Sequence, residues 1–326
     1  MKEEKKLLKE DINFLEYPNW TLSRKKSVTT YNIKKDNGTY EVISPFGLPK
    51  HFDKIVVYFL LYKLCHSKAS SYTLITSRYE IAKNIFGGNH FGKNVYDRIM
   101  RAIKRWKSIA INFEGLFYYG DGYTIRGFSV IDEYILRKDT GELIIKFSES
   151  YVKQLQETTF YKLIDFEQYK ILHKASSARL YELLCKSFKA RNEWAINIQS
   201  LAEKLTFEKR KNAKLYYPSD VLRYLKPGIK EINKKTDLAI KFEYNKKNGI
   251  CLFKKAKKQS QYMPAKSSRL DKSKMLVNKK QAFLESFKVL SQEEQDRVKD
   301  AASRDQFLKY LTKEDQIVAY MAREKK

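Results

Sequence analysis

Two stretches of this sequence repeat one order of helices and strands, although few of their residues match. In the first, the apolar run at 52–65 predicts a helix and YTLIT at 72–76 a short strand. Residues 77–86 open with the Ser-x-x-Glu pattern that marks a helix start, and a glycine turn separates them from a long helix at about 91–108. The first stretch therefore predicts a helix, a short strand and then a helix-turn-helix.

The second stretch has the same plan. Residues 176–188, 199–207 and 217–237 have helical apolar spacing, the last starting near Ser219, and WAINI is a short strand between the first two. Residues 238–256 alternate around a turn that ends in Asn-Gly, which predicts a β-hairpin.

Strand patterns also follow the third helix of the first stretch. AINFEG leads into a loop, and the two runs of GYTIRGFSVIDEYILR are predicted to pair with each other as a hairpin. Residues 141–156 are predicted to add a strand and a connecting helix. Three helices with a short strand and a hairpin make a winged helix.

The predicted fold class is α+β, with two tandem winged-helix domains, a flexible basic linker and a small helical C-terminal tail. The Lys- and Ser-rich composition after the second hairpin predicts the linker, and Ser-x-x-Glu at 291 and Thr-x-x-Asp at 312 predict helices in the tail. The predicted boundaries are an N-terminal arm at 1–50, winged helix 1 at 51–157, winged helix 2 at 158–254, the linker at 255–278 and the tail at 279–326.

The net charge of the chain indicates which kinds of partner it can bind. The 326 residues include 65 Lys and Arg against 38 Asp and Glu, a net charge of +27. Such a field attracts polyanions, with nucleic acid as the first candidate and an anionic membrane surface as the second.

Nothing in the sequence predicts a membrane span or a secretion signal. The longest apolar run, 55–62, is far shorter than the roughly 20 residues that a spanning helix needs, and no apolar segment follows the charged N-terminus. Cys65, Cys185 and Cys251 lie far apart among apolar neighbours and are interpreted as reduced core residues of a cytoplasmic protein.

The stretch GGNHFGKN at 87–94 nearly matches a nucleotide-binding phosphate loop, with Lys93 in the lysine position. Asn94 replaces the hydroxyl residue that would bind Mg²⁺, and a helix is predicted before the glycines where a phosphate loop follows a strand. The glycines are therefore interpreted as the turn of the helix-turn-helix, and no cofactor is predicted.

Each third helix carries an apolar stripe and a basic stripe. The apolar residues are Val95, Ile99, Ala102, Ile103 and Trp106 in the first, and Leu222, Leu225, Ile229 and Ile232 in the second. The candidate DNA-binding residues are Lys93, Asn94, Arg98, Arg101, Arg105, Ser219, Arg223, Lys226, Lys230 and Lys234, together with Lys246 and Lys247 at the tip of the second wing. A solvated basic face is the alternative. Recurrence on both third helices, where winged helices enter the major groove, favours DNA recognition.

The two basic stripes differ in composition. Arg and Asn can bind base edges, whereas Lys more often binds phosphates, so the first helix is predicted to read more sequence than the second. Pro227, in the middle of the second helix, is predicted to kink or restart it.

Catalysis is not predicted. The histidines, His51, His66, His90 and His173, are isolated, so they cannot form a local metal site. The acidic pair at 132–133 stands alone and is interpreted as a strand end that faces water.

Three segments, 225–249, 178–188 and 128–136, resemble plasmid replication initiator proteins, most closely the group called replication initiator protein A. This group is similar in plan to the iteron-binding Rep proteins. The resemblance runs from about residue 20 to Lys254, and 225–237 is its most specific part. Gly228 departs from it, since a helix former such as alanine would be expected there.

The resemblance implies binding to repeated sites in double-stranded origin DNA, opening of an adjacent A·T-rich segment, and recruitment of the host initiator and replicative helicase. It also implies self-association through winged helix 1 and a location on plasmid DNA in the bacterial nucleoid. The alternative is a winged-helix transcription regulator, which would share the DNA-binding residues and have no origin.

Overall fold

In the computed structural model of the chain, the described residues are 6–23, 29–66, 72–119, 122–188, 191–256 and 291–304. The chain divides into two compact units, Met1–Lys258 and Gln259–Lys326. Both predicted winged helices belong to the first unit, so the boundary drawn between them stays a prediction.

The elements of the first unit follow one another in this order. The N-terminal segment forms β1 (Leu7–Asp11), α1 (Ile12–Glu16), β2 (Thr30–Lys35) and β3 (Gly38–Ile43). The first helix-turn-helix part forms α2 (His51–His66), β4 (Thr73–Ser77), α3 (Arg78–Phe86) and α4 (Lys93–Ser108). Then come β5 (Ala110–Tyr119), β6 (Gly122–Phe128), β7 (Ile131–Leu136), β8 (Glu142–Phe147) and α5 (Glu149–Glu157).

The remainder of the first unit repeats the plan. It forms β9 (Tyr161–Asp165), α6 (Phe166–Lys170), α7 (Ala175–Ser187), β10 (Glu193–Asn197) and α8 (Ile198–Lys204). It ends with α9 (Pro218–Lys235), β11 (Ile240–Asn245) and β12 (Ile250–Lys255). The second wing is the predicted hairpin, in which β11 and β12 pair antiparallel from Ile240 opposite Lys255 to Asn245 opposite Ile250.

The first wing differs from the prediction. β6 pairs with β5, and β7 pairs with β8, so the two runs at 122–137 do not form a hairpin with each other. β4, β8 and β7 form one sheet in that order, which makes β7 and β8 the wing strands. AINFEG, predicted to lead into a loop, is the first part of β5. Each run has strand character, but that character does not decide which strand becomes its partner.

The predicted N-terminal arm is an integral part of the first unit. β1 pairs with β9, and β2 and β3 extend the sheet of β5 and β6 in the order β2-β3-β5-β6. Trp20, between these strands, is 1% exposed. Removal of the arm would therefore open the core.

The third helix of the second stretch is continuous, although Pro227 lies inside it. The predicted restart does not occur. Gly228 is buried where α9 packs on α7, and a Cβ there would lie 3.3 Å from the Ser176 Oγ and 3.4 Å from the Ser177 backbone nitrogen. The glycine that departs from the resembled pattern therefore permits a close approach of two helices.

Of the second unit, the described part is 291–304, which contains α10 (Gln292–Arg304). The predicted capping box is present, since the Glu294 backbone N–H donates to Ser291 Oγ and the Ser291 backbone N–H donates to Glu294 Oε2. The predicted cap at 312–315 and the linker from 257 to 278 lie outside the described residues.

Candidate nucleic-acid interface

The glycine stretch forms the turn between α3 and α4. Gly87 and Gly88 have φ values of 70° and 76°, in the left-handed region that glycine adopts most readily. α3 precedes them, and its N-cap Ser77 accepts a hydrogen bond from the Glu80 backbone N–H. The polypeptide that enters the turn is thus helical, whereas a phosphate loop follows a strand.

We predict that the purified chain does not bind ATP, because Lys93 begins the second helix of a helix-turn-helix, whereas the lysine of a phosphate loop follows a strand and a glycine loop. Equilibrium binding of labelled ATP with Mg²⁺ is the measurement, and Lys93→Ala is the control. A micromolar affinity that Lys93→Ala abolishes would contradict the helix-turn-helix interpretation.

α4 has the two faces that its sequence predicts. Ile99, Ala102, Ile103 and Trp106 are buried, and Val95 is half-buried. Lys93, Asn94, Arg98 and Arg101 are exposed. The guanidinium of Arg98 also lies over the Phe52 ring, 3.9 Å from its centroid.

Arg105 is half-buried and, unlike the other candidates of α4, pairs with a buried carboxylate. Its Nη1 lies 2.8 Å from Asp53 Oδ2, and the side chains are 22% and 3% exposed. Trp106 donates a hydrogen bond from Nε1 to the Asp53 carbonyl oxygen, which holds this end of α4 against the start of α2. Arg105 therefore neutralises a buried carboxylate and is less exposed than Lys93, Asn94, Arg98 and Arg101.

We expect Arg105→Ala to lower the free energy of unfolding by about 2 kcal/mol, because it leaves the buried Asp53 carboxylate without its cation. Arg101→Ala, at an exposed position of the same stripe, should change it by less than about 0.5 kcal/mol. Urea unfolding followed by circular dichroism compares the two. Equal losses would contradict the structural role of Arg105.

The basic stripe of α9 is exposed along its length. Leu225, Gly228, Ile229 and Ile232 are buried, while Ser219, Arg223, Lys226, Lys230 and Lys234 are exposed. Near the start of the helix, Asp220 binds Arg210 at 2.6 Å and lies 3.6 Å from Arg223. Lys226, Lys230 and Lys234 form no ion pair with any described residue.

Both wing tips carry exposed cations. Lys246 and Lys247 lie in the turn between β11 and β12, where Asn245 Oδ1 accepts a hydrogen bond from the Lys247 backbone N–H. Arg137 and Lys138 occupy the corresponding turn between β7 and β8. The sequence analysis does not identify Arg137 and Lys138, because it predicts the hairpin of the first wing within 122–137 and the wing strands are β7 and β8. The Asp-Thr-Gly turn at 139–141 is the signal that could have located it.

α4 and α9 border one groove of about 1090 Å³, which we call the inter-helix groove. Arg98 of α4 and Arg223 of α9 both line it. The other exposed stripe residues of the two helices lie outside it. Two basic helices from different parts of the sequence are therefore placed around a common groove.

A buried ionic network joins the two winged-helix parts. Glu182 of α7 is 2.7 Å from Arg179 Nη1, and its carboxylate accepts hydrogen bonds from Trp20, Tyr58 and Tyr169. Arg179, which is fully buried, also donates to the carbonyl oxygens of Leu15 and Lys204. The network thus links α7 and α8 with α2, α6 and the N-terminal segment.

Comparison with protein-family models finds no match, and no curated protein matches either. Solved structures do match. A crystal structure of the Pi initiator protein in complex with iteron DNA has a TM-score of 0.53 and 15% identity, and the alignment covers 79% of this chain and 100% of that one. A structure of domains 2 and 3 of RctB has a TM-score of 0.51 and 13% identity, and covers 75% of this chain and 97% of that one. At these identities the likeness shows the fold alone, and this fold is of the mixed helix and sheet class that the sequence predicts.

Proposed function

We propose that this chain is a plasmid replication initiator that binds repeated sites in double-stranded origin DNA, with one recognition helix in each of two major grooves. The observation that supports this most strongly is the pair α4 and α9. Each is the third helix of a winged-helix arrangement, each buries an apolar stripe and exposes a basic one, and both border one groove. The net charge of +27 supplies the long-range attraction to DNA.

The exposed residues divide into two roles in this proposal. Asn94, Arg98 and Arg101 can reach base edges, since Arg binds guanine and Asn binds adenine through paired hydrogen bonds. Lys226, Lys230 and Lys234, with the wing lysines Lys246 and Lys247, bind phosphates and position the protein.

The further steps of initiation are part of the proposal. The chain would open an adjacent A·T-rich segment, recruit the host initiator and the replicative helicase, and associate with itself through winged helix 1. A protein of the same fold was crystallised with iteron DNA, which supports the choice of repeated sites. We propose that the chain acts by binding alone, without catalysis, on plasmid DNA in the bacterial cytoplasm.

The DNA that flanks the coding sequence tests this proposal. We expect direct repeats beside an A·T-rich stretch, and purified protein should bind a duplex with one repeat in preference to a scrambled duplex. Specific binding only to a lone inverted repeat at a promoter would contradict the initiator proposal and favour a winged-helix transcription regulator.

The structure describes no helix that is both long and apolar enough to cross a bilayer.

A further inference from the structure

We propose that the inter-helix groove binds the DNA backbone, and that it holds the sugar-phosphates of the duplex segment that runs between the two contacted major grooves. This inference rests on the proposed function and assigns DNA contacts to residues outside both recognition stripes. Lys174 and Lys209 are the clearest of them, because they line the groove and are exposed.

The groove has a strong excess of positive charge. Its lining includes Lys50, Arg98, Lys174, Lys209, Arg210 and Arg223, against the carboxylates of Glu208 and Asp220. Asp220 is already paired with Arg210 and lies near Arg223. A ligand that fills the groove would therefore meet net positive charge, which favours a polyanion.

Aromatic rings hold several of these cations in place. Arg98 lies 3.9 Å from the centroid of the Phe52 ring, Arg210 lies 4.3 Å from that of Tyr217, and Lys209 lies 5.1 Å from that of Tyr216. A ring face attracts a cation but does not cancel its charge, so Arg98 and Lys209 keep their charges, whereas the carboxylate of Asp220 offsets that of Arg210. The groove thus presents ordered cations beside flat apolar surfaces, which suits the alternating phosphates and sugars of a DNA strand.

The position of the groove identifies which part of the DNA would enter it. In DNA-binding proteins with two recognition helices, the helices contact major grooves about one helical turn apart. The DNA strands between those contacts then cross the space between the two helices. Arg98 on one side and Arg223 on the other mark that space here. The backbone between the two contacts is therefore the nearest polyanion.

Single variants of the full chain test the proposal on a specific duplex. Lys174→Ala and Lys209→Ala remove exposed side chains, and Lys34→Ala removes an exposed lysine of β2 that does not line the groove. We expect each groove variant to lose about fivefold in affinity at physiological salt and about one unit of salt slope, as for one lost phosphate contact. Lys34→Ala should bind like the wild type.

Duplexes with single uncharged methylphosphonate linkages locate the contact. We expect neutral linkages between the two contacted major grooves to weaken the wild type, and to weaken Lys174→Ala less, because that contact is already lost. Two results would overturn the backbone site even if the wild type still prefers the specific duplex. One is that Lys174→Ala and Lys209→Ala bind like Lys34→Ala, and the other is that neutral linkages between the two contacted major grooves have no effect. Failure of the wild type to prefer any duplex would instead overturn the proposed function, and this inference with it.

Discussion

Arg179→Leu is expected to lower the free energy of unfolding by about 3–5 kcal/mol, because it removes the cation of a fully buried ion pair. The substitution leaves Glu182, which is 1% exposed, as a buried charge without a cation. It also removes the donors that bind the carbonyl oxygens of Leu15 and Lys204. Urea unfolding followed by circular dichroism measures the loss.

Two control variants make this prediction specific. Arg137→Ala breaks the exposed pair of Arg137 and Glu142, whose atoms lie 2.8 Å apart, and should cost less than about 1 kcal/mol. Arg179→Leu combined with Glu182→Leu removes both charges and should be more stable than Arg179→Leu alone. An Arg179→Leu loss no larger than that of Arg137→Ala would show that the network contributes little.

Arg101→Ala is expected to weaken binding to the specific duplex by about 1–3 kcal/mol and to relax the preference for one base pair. Arg101 is exposed in the middle of α4 and forms no ion pair with a described residue, so its guanidinium is available for a guanine edge. Lys230→Ala should instead weaken specific and scrambled duplexes alike and lower the salt slope by about one.

Salt titrations of both variants on the two duplexes are the measurement. If Arg101→Ala loses the same affinity for specific and scrambled DNA, Arg101 binds phosphate only. Base readout would then have to lie in other residues, such as those of the wings.

The faces of α4 and α9 could be predicted because they depend on local periodicity. Burial of Ile99, Ala102, Ile103 and Trp106 follows from the 3.6-residue repeat, and the positive φ of Gly87 follows from the glycine pair at a turn. The capping boxes are local in the same sense.

Strand partners and single side-chain roles could not be predicted, because they depend on residues far away in the sequence. β1 pairs with β9, where Leu7 lies opposite Asp165, and no local pattern indicates that choice. Arg101 and Arg105 belong to one stripe, and only the approach of Asp53 from α2 distinguishes them. Arg179 and Glu182 likewise form an ordinary i,i+3 charge pair in the sequence, and only packing shows that they are buried.

A hydroxyl-radical footprint of the full chain on its specific DNA tests the two-helix account most directly. We predict that the sugar-phosphate backbone is protected over about 20 base pairs, in two segments about one or two helical turns apart, one for α4 and one for α9. Protection of a single segment, or an isolated second winged helix that binds the full site as tightly as the whole chain, would contradict the account.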